Sequence, residues 1–205
     1  GIRDVERSRG LGDVYRDSLV GNVLLIGFGR FGQIAVQGAL ARGASISIID
    51  TDTEAIRVAA LFGFKVYYGD GSRADVLHAA GAHGARVIMV CVNDKAATTR
   101  IVELLKAEFP HAQLLVRAYD REHMLEIGKL NVDFQIRETF ESAMAFGRQG
   151  VLALGASDTE ADEVIDELRR RDAERVVLEM AGGIFAGRAL VPVSYTHLTL
   201  PTILL

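Results

Sequence analysis

The run Asn22-Val23-Leu24-Leu25-Ile26-Gly27-Phe28-Gly29-Arg30-Phe31-Gly32 constrains the fold more than any other part of the chain. An apolar strand leads straight into Gly-x-Gly-x-x-Gly. Apolar residues at helical spacing follow from Arg30 to about Arg42, and Gly43 supplies the stop. Each glycine has a physical task. Gly27 ends the strand in a tight turn, Gly29 lets a phosphate approach the backbone, and Gly32 lets the new helix pack closely on the strand. The helix N-terminus offers free N–H donors and a partial positive charge to an anion. A second strand, Ser45 to Ile49, ends in Asp50, the acidic residue expected about 20 residues on, where it accepts hydrogen bonds from ribose hydroxyls. Asp50, rather than a small residue with a nearby Arg, favours NAD or an adenosine nucleotide over NADP. Asp52 reads as the N-cap of a helix beginning at Thr53.

The rest of the pattern alternates strand and helix. Lys65 to Tyr68 predicts a third strand, followed by Gly69-Asp70-Gly71 and a helix from Ser72 to about Ala80. Arg86 to Val92 predicts a fourth strand, with Asn93-Asp94 opening a helix to about Phe109 before Pro110. Gln113 to Arg117 is a fifth strand, Asp120 opens a short helix to about Ile127, and Asp133 to Ile136 suits a sixth strand. This spacing implies an α/β, Rossmann-like, doubly wound parallel sheet of about six strands, with a helical appendage after it. Ligands bind beyond the carboxyl ends of such strands, where the strand order reverses. Asp50, Asp70, Asn93, Asp94 and Arg117 all fall at strand ends and form the rim expected around a nucleotide. Each also suits a plainer role: Asp70 a turn, Asn93 or Asp94 a helix cap, Arg117 a surface ion pair.

The bulk numbers narrow the classes. Apolar content of 49% argues against global disorder, and a net charge of −4 leaves no basic footprint for nucleic acid. No apolar run approaches the ~20 residues that span a bilayer, and no signal peptide is evident. The single Cys91 lies in the apolar run Val87 to Val92 and reads as a buried, inert thiol compatible with a reducing compartment. His78, His83, His111 and His123 have no metal-ligand spacing and read as surface or turn residues.

Residues 1–21 mix charges and glycines and read as a linker or lead-in. Residues 22–137 form the nucleotide-binding domain, and residues 138–192 a helical appendage. A long helix from Glu138 to about Leu154 carries Phe140, Met144, Gly147 and Val151 at helical spacing. This stripe suits either a crossing helix at a dimer interface or packing on its own domain. Asp158 to Arg171, acidic first and basic last, reads as a solvated surface helix, and Val176 to Ala181 is ambiguous up to Gly182-Gly183. Residues 193–205, beginning Val193-Ser194-Tyr195-Thr196-His197-Leu198, look like a translated sequencing adapter, which would put the natural sequence's end near Pro192. A chain that begins at Gly1 rather than Met is expected to be a piece of something longer.

Val23 to Gln33 resembles the nucleotide-binding regulatory domain of bacterial potassium transport systems, the RCK or KTN domain (TrkA-N-like). Tyr68-Gly69-Asp70-Gly71-Ser72-Arg73, Phe109-Pro110-His111, Arg117-Ala118-Tyr119-Asp120 and Arg137-Glu138-Thr139-Phe140-Glu141 extend the likeness over roughly residues 22–155. Together they resemble most closely the C-terminal domain of Kef-type potassium/proton antiporters, whose best-known members are glutathione-gated. The resemblance implies a homodimer of such domains at the cytoplasmic face of the bacterial inner membrane. Bound NAD(H), AMP or ATP would bias ion flux through a transmembrane antiporter domain absent from this chain. It implies that Gly27, Gly29, Arg30 and Gly32, with Phe28 and Phe31 in the same loop, hold the phosphates. Asp50 would hold the ribose, Asp70 would lie near the adenosine, and the helix from Glu138 would be the family's crossing helix. Glutathione-gated members have Arg-Ala-Arg-Asp where this chain has Arg117-Ala118-Tyr119-Asp120. Tyrosine does not replace an arginine in paired hydrogen bonds to carboxylates, so glutathione gating is doubtful.

The main expectation is therefore a non-enzymatic sensor whose ligand shifts a conformational equilibrium. The alternatives are a soluble NAD-dependent oxidoreductase and an interaction module with a purely structural nucleotide. The oxidoreductase lacks a Tyr followed four residues later by Lys, a catalytic His on the rim and room for a substrate domain.

Overall fold

Strands and helices alternate from Asn22 to Arg137 in the computed structural model, which describes residues 22–190. The order is β1 (Asn22–Ile26), α1 (Arg30–Ala35), α2 (Gln37–Ala41), β2 (Ser45–Asp50), α3 (Thr53–Leu61), β3 (Lys65–Tyr68), α4 (Ala74–Ala79), β4 (Ala85–Val90), α5 (Lys95–Glu108), β5 (Gln113–Ala118), α6 (Arg121–Gly128) and β6 (Phe134–Arg137). The strands form one sheet in the order β3-β2-β1-β4-β5-β6, and every neighbouring pair is parallel. β1 lies between β2 and β4, pairing Ile26 with Ile49 on one side and Val90 on the other. The strand order reverses at β1 and β4, so their carboxyl ends open the crevice where doubly wound sheets bind ligands.

Side-chain alternation explains the two layers. Val23 and Leu25 of β1 join Ile46, Ile48, Val36 and Ala59 on the face covered by the helices after β1 and β2. Leu24 and Ile26 join Ile88, Leu114, Leu77, Ile101, Leu105, Phe109 and Ile127 on the other. A strand buried on both faces reads as a continuous apolar run, as β1 does. Each fully buried aliphatic side chain contributes roughly 1.5–3 kcal/mol, so this core dominates the stability of the unit. Aspartates start three of the helices. Asp52, Asp94 and Asp120 accept the backbone N–H of Glu54, Ala97 and His123 at 2.9, 2.6 and 2.9 Å.

Several elements differ in detail from the pattern expected. The helix after β1 is broken at Val36 into α1 and α2, but Val36 N–H still reaches Gly32 O and Leu40 N–H reaches Val36 O, so its course continues. β4 ends at Val90, which leaves Cys91 just past the strand, with its N–H donated to Ile26 O at 2.8 Å. The histidine expectation fails at His123, which is 1% exposed. Its Nδ1 accepts the Tyr119 N–H at 3.1 Å, and burial lowers its pKa. His78, His83 and His111 are exposed.

A second compact unit begins at Thr139. It contains α7 (Phe140–Ala153) and α8 (Asp158–Gly182), antiparallel and stitched by Arg148 to Asp158 and Asp162 at 2.8 and 2.6 Å and by Arg169 to Glu141 at 2.9 Å. α7 starts two residues later than expected, because Glu138 N–H is donated to Ala118 O beside the sheet. Ser157 and Glu160 form a reciprocal cap on α8. α8 also absorbs Val176 to Ala181. Arg171–Glu167 and Arg175–Glu179 pairs, both at 2.6 Å, carry it past its weak apolar pattern to Gly183, whose φ of 86° ends it. Residues 1–21 and 193–205, read above as lead-in and adapter tail, lie outside the described residues.

Candidate functional site

The glycine loop takes its shape from three close approaches and one open side. Gly27 has φ 94°, and a Cβ there would sit 2.9 Å from the backbone of Cys91 and Val92. A Cβ on Gly32 would sit 2.2 Å from Gly27 O, so only glycine lets α1 turn this tightly against the strand end. On the far wall, a Cβ on Gly71 would meet Ile26 Cγ2 at 2.5 Å. A Cβ on Gly29, in contrast, would meet nothing within 4 Å. The protein's own packing does not require glycine at 29, whereas a ligand pressed against that backbone would.

Asp50 ties β2 to this loop. Its Oδ2 accepts the Phe28 N–H at 2.6 Å and its Oδ1 accepts the Asp52 N–H at 2.8 Å. The carboxylate is thus held in one orientation, with lone pairs left over for hydroxyl donors. Asp70 Oδ1 accepts the Ser72 N–H at 2.8 Å, and that bond holds its carboxyl below the usual range. Asp94 caps α5. The turn and cap roles of Asp70 and Asp94 therefore coexist with a place on the rim.

These groups enclose a cleft of about 480 Å³ at the carboxyl ends of β1 to β4. Of the residues expected from sequence, Gly27, Gly29, Asp50, Asp70, Asn93 and Asp94 line it. Phe28, Arg30, Phe31, Gly32 and Arg117 do not. Phe28 is buried against Phe64, ring centroids 5.6 Å apart, Gly32 is buried, Phe31 is half-buried and Arg30 is exposed. The wall also uses Thr51, Asp52, Ala55, Gly69, Gly71, Cys91, Val92, Ala97 and Ile101. Their common signal is position, in the loops just past β2, β3 and β4 or in the first two turns of the helix that follows. Among the described residues the lining includes no Lys or Arg, so the wall itself offers an anion backbone N–H groups. Burial pushes the Cys91 thiol up to about 12, which makes it unreactive.

Arg117 departs from the surface ion pair that its position suits. It is 3% exposed. One guanidinium nitrogen donates to Asn93 Oδ1 at 2.6 Å and to Cys91 O at 3.1 Å, and the other pairs with Glu138. The guanidinium lies 5.7 Å from the centre of the Phe31 ring. Beside it, Lys95 pairs with Asp120 and sits 5.5 Å from the Tyr119 ring centre. Among the described residues there is no group of three or more His, Cys, Asp or Glu suited to a metal ion. No helix among them is long and apolar enough to cross a membrane.

A parallel sheet in the order 3-2-1-4-5-6, a glycine turn at the strand-order reversal and an aspartate ending β2 define a Rossmann-like nucleotide-binding domain. The TrkA-N domain family model matches residues 23–138, and the chain belongs to that family. A glutathione-regulated potassium-efflux system protein of Haemophilus influenzae is 48% identical over 162 residues, 79% of this chain and 26% of that protein. Glutathione-regulated potassium-efflux system protein KefC of Salmonella arizonae is 41% identical over 161 residues, 78% of this chain and 26% of its own length. The chain thus spans about a quarter of the curated relatives it matches. Among solved structures, the Kef CTD of Shewanella denitrificans in AMP-bound form superposes with a TM-score of 0.72 at 33% identity, covering 78% of this chain and 98% of that one.

Proposed function

We propose that the chain is the ligand-sensing regulatory domain of a monovalent cation (potassium)/proton antiporter, and that the cleft holds NAD(H) or an adenine nucleotide. One observation carries the reading. The cleft lies at the strand-order reversal of a chain that is 33% identical to an AMP-bound Kef domain and covers 98% of it. The residues present fit such a ligand. The open side of Gly29 accepts a phosphate against the backbone, with Gly27 and Gly32 shaping the turn. Asp50 offers fixed acceptors to ribose hydroxyls, and Asp70 stands on the adenosine side. Arg30, exposed at the start of α1 one residue past Gly29, stands outside the cleft lining and would add a cation only at its mouth. The aspartates of the rim disfavour the extra phosphate of NADP.

In this reading residues 22–137 sense the ligand and residues 138–192 join two copies. The domain then works at the cytoplasmic face of the inner membrane, beside the antiporter's transmembrane part. Nucleotide binding shifts the equilibrium between two arrangements of the dimer by no more than its differential affinity for them. Tyr119 in place of arginine argues against glutathione as a second ligand. The oxidoreductase alternative draws no support from the relatives above.

The test is thermal unfolding of the purified chain with NADH, NAD, AMP and ATP. A ligand of the native state adds about 2.7 kcal/mol at a hundred times its dissociation constant, so the midpoint should climb with concentration. No shift with any of the four would sink the proposal. Steady hydride turnover with an added substrate would replace it with the enzyme reading.

A further inference from the structure

We propose that Arg117 is a positioning residue. It orients Asn93 toward the ligand and ties the cleft wall to Glu138, the last residue of the first unit. The proposal rests on the nucleotide reading of the cleft.

The sheet needs no cation at the end of β5, yet a guanidinium is buried there, its side chain 2% exposed. An isolated buried charge is costly, and this one is met by three oxygens on two segments. Two of the oxygens, Asn93 Oδ1 and Cys91 O, belong to residues that line the cleft just past β4. The third, on Glu138, follows β6, where the Glu138 N–H is also donated to Ala118 O at 3.1 Å. Arg117 is therefore a rigid planar bracket between the cleft wall and the point where the chain leaves the sheet.

The bracket has a chemical consequence for the ligand. With its oxygen held at 2.6 Å by Arg117, the Asn93 amide turns its two N–H donors away from the guanidinium. Apart from the Thr51 hydroxyl, the other polar side chains of the rim are the carboxylates Asp50, Asp52, Asp70 and Asp94, which only accept when ionised. Asn93 thus gives the cleft a side-chain donor among acceptors, suited to a ring nitrogen or a phosphate or ribose oxygen. A ligand that bonds this amide stiffens the Asn93–Arg117–Glu138 line and with it the backbone at Glu138.

The experiment uses the whole chain with AMP as probe. It measures affinity by calorimetry and backbone hydrogen exchange in the peptide covering residues 134–142. In the unaltered chain AMP should slow exchange there. Arg117→Lys keeps the charge but loses the fork. It should weaken AMP by about tenfold, the size expected for a charged hydrogen bond, and abolish the slowing. Glu138→Gln should change affinity by less than about threefold, below the usual range of inter-site coupling, and also abolish the slowing. Should Arg117→Lys fail to fold, Asn93→Ala cuts the same line from the cleft side and should match it in both readouts. A purely structural arginine would lower stability yet leave AMP-induced protection intact in the variants, and that result overturns the proposal. So does unchanged affinity in Arg117→Lys, or binding by the unaltered chain with no change in exchange; in both cases the nucleotide reading survives. An unaltered chain that binds neither AMP nor NADH fails the nucleotide reading itself, and the proposal falls with it.

Discussion

The sheet unit fills both of its layers with aliphatic side chains, whereas α7 has no buried residue and α8 buries only Ala161, Ile165 and Glu179. The second unit instead carries Arg–carboxylate pairs, while Phe146 and Leu154 stand 83% and 91% exposed. The two regions teach different lessons about stability. Apolar burial contributes about 25 cal/mol per Å², which a two-layered sheet accumulates quickly. Exposed ion pairs contribute roughly 0–1 kcal/mol each and are screened by salt. The helical pair, taken by itself, has little core. The proposed dimer would give its apolar side chains something to cover.

The comparison is broken most severely in the sheet unit. Leu105→Ala removes a fully buried side chain from the layer between α5 and the strands and should cost about 3 kcal/mol in urea unfolding. A loss under about 1 kcal/mol would contradict the core assigned here. Next comes Gly32→Ala, whose new Cβ would press on Gly27 O; it should cost about 2 kcal/mol. Gly29→Ala, facing open space, should stay within about 0.5 kcal/mol. Equal costs at the two positions would refute the distinction between a glycine required by packing and one that faces open space.

A smaller effect comes from acid. His123 is buried and its pKa is lowered from 6.5, so the folded protein binds fewer protons there than the unfolded chain. Its contribution is intact above the unfolded value and is lost as pH falls below about 6.5 through the folded value. Stability followed from pH 7.5 to 5.5 should therefore decline, and His123→Gln should flatten that slope. An unchanged slope in the variant would assign it elsewhere. The smallest effect belongs to the second unit. Arg170→Ala, which breaks exposed pairs to Glu167 and Glu174, should cost less than about 0.5 kcal/mol.

Much of the sheet unit was legible in the sequence because its signals are local. Glycines at fixed offsets, aspartates before helices and apolar runs at the right spacing each act within a few residues. The strand ends so located brought Gly27, Gly29, Asp50, Asp70, Asn93 and Asp94 to the cleft. Burial of single polar residues was not legible. Arg117 is enclosed by partners 24 and 21 positions away, and its sequence neighbourhood is that of any strand end. His123 sits in a short helix whose neighbours Glu122 and Glu126 advertise a surface, yet the packing against β5 and β6 buries it. α8 was underestimated for a different reason: its length follows from ion pairs repeated at i+3 and i+4, not from apolar periodicity.

The position of β1 has a consequence in time. The strand that carries the glycine loop is central, and one of its two hydrogen-bonding partners is β4, at residues 85–90. The backbone that Gly27 closes on, at Cys91 and Val92, follows immediately. During synthesis the loop therefore emerges some sixty residues ahead of the backbone that closes it on this side. Parallel pairings this distant in the chain form slowly. Until they form, the newborn chain carries the motif without the cleft.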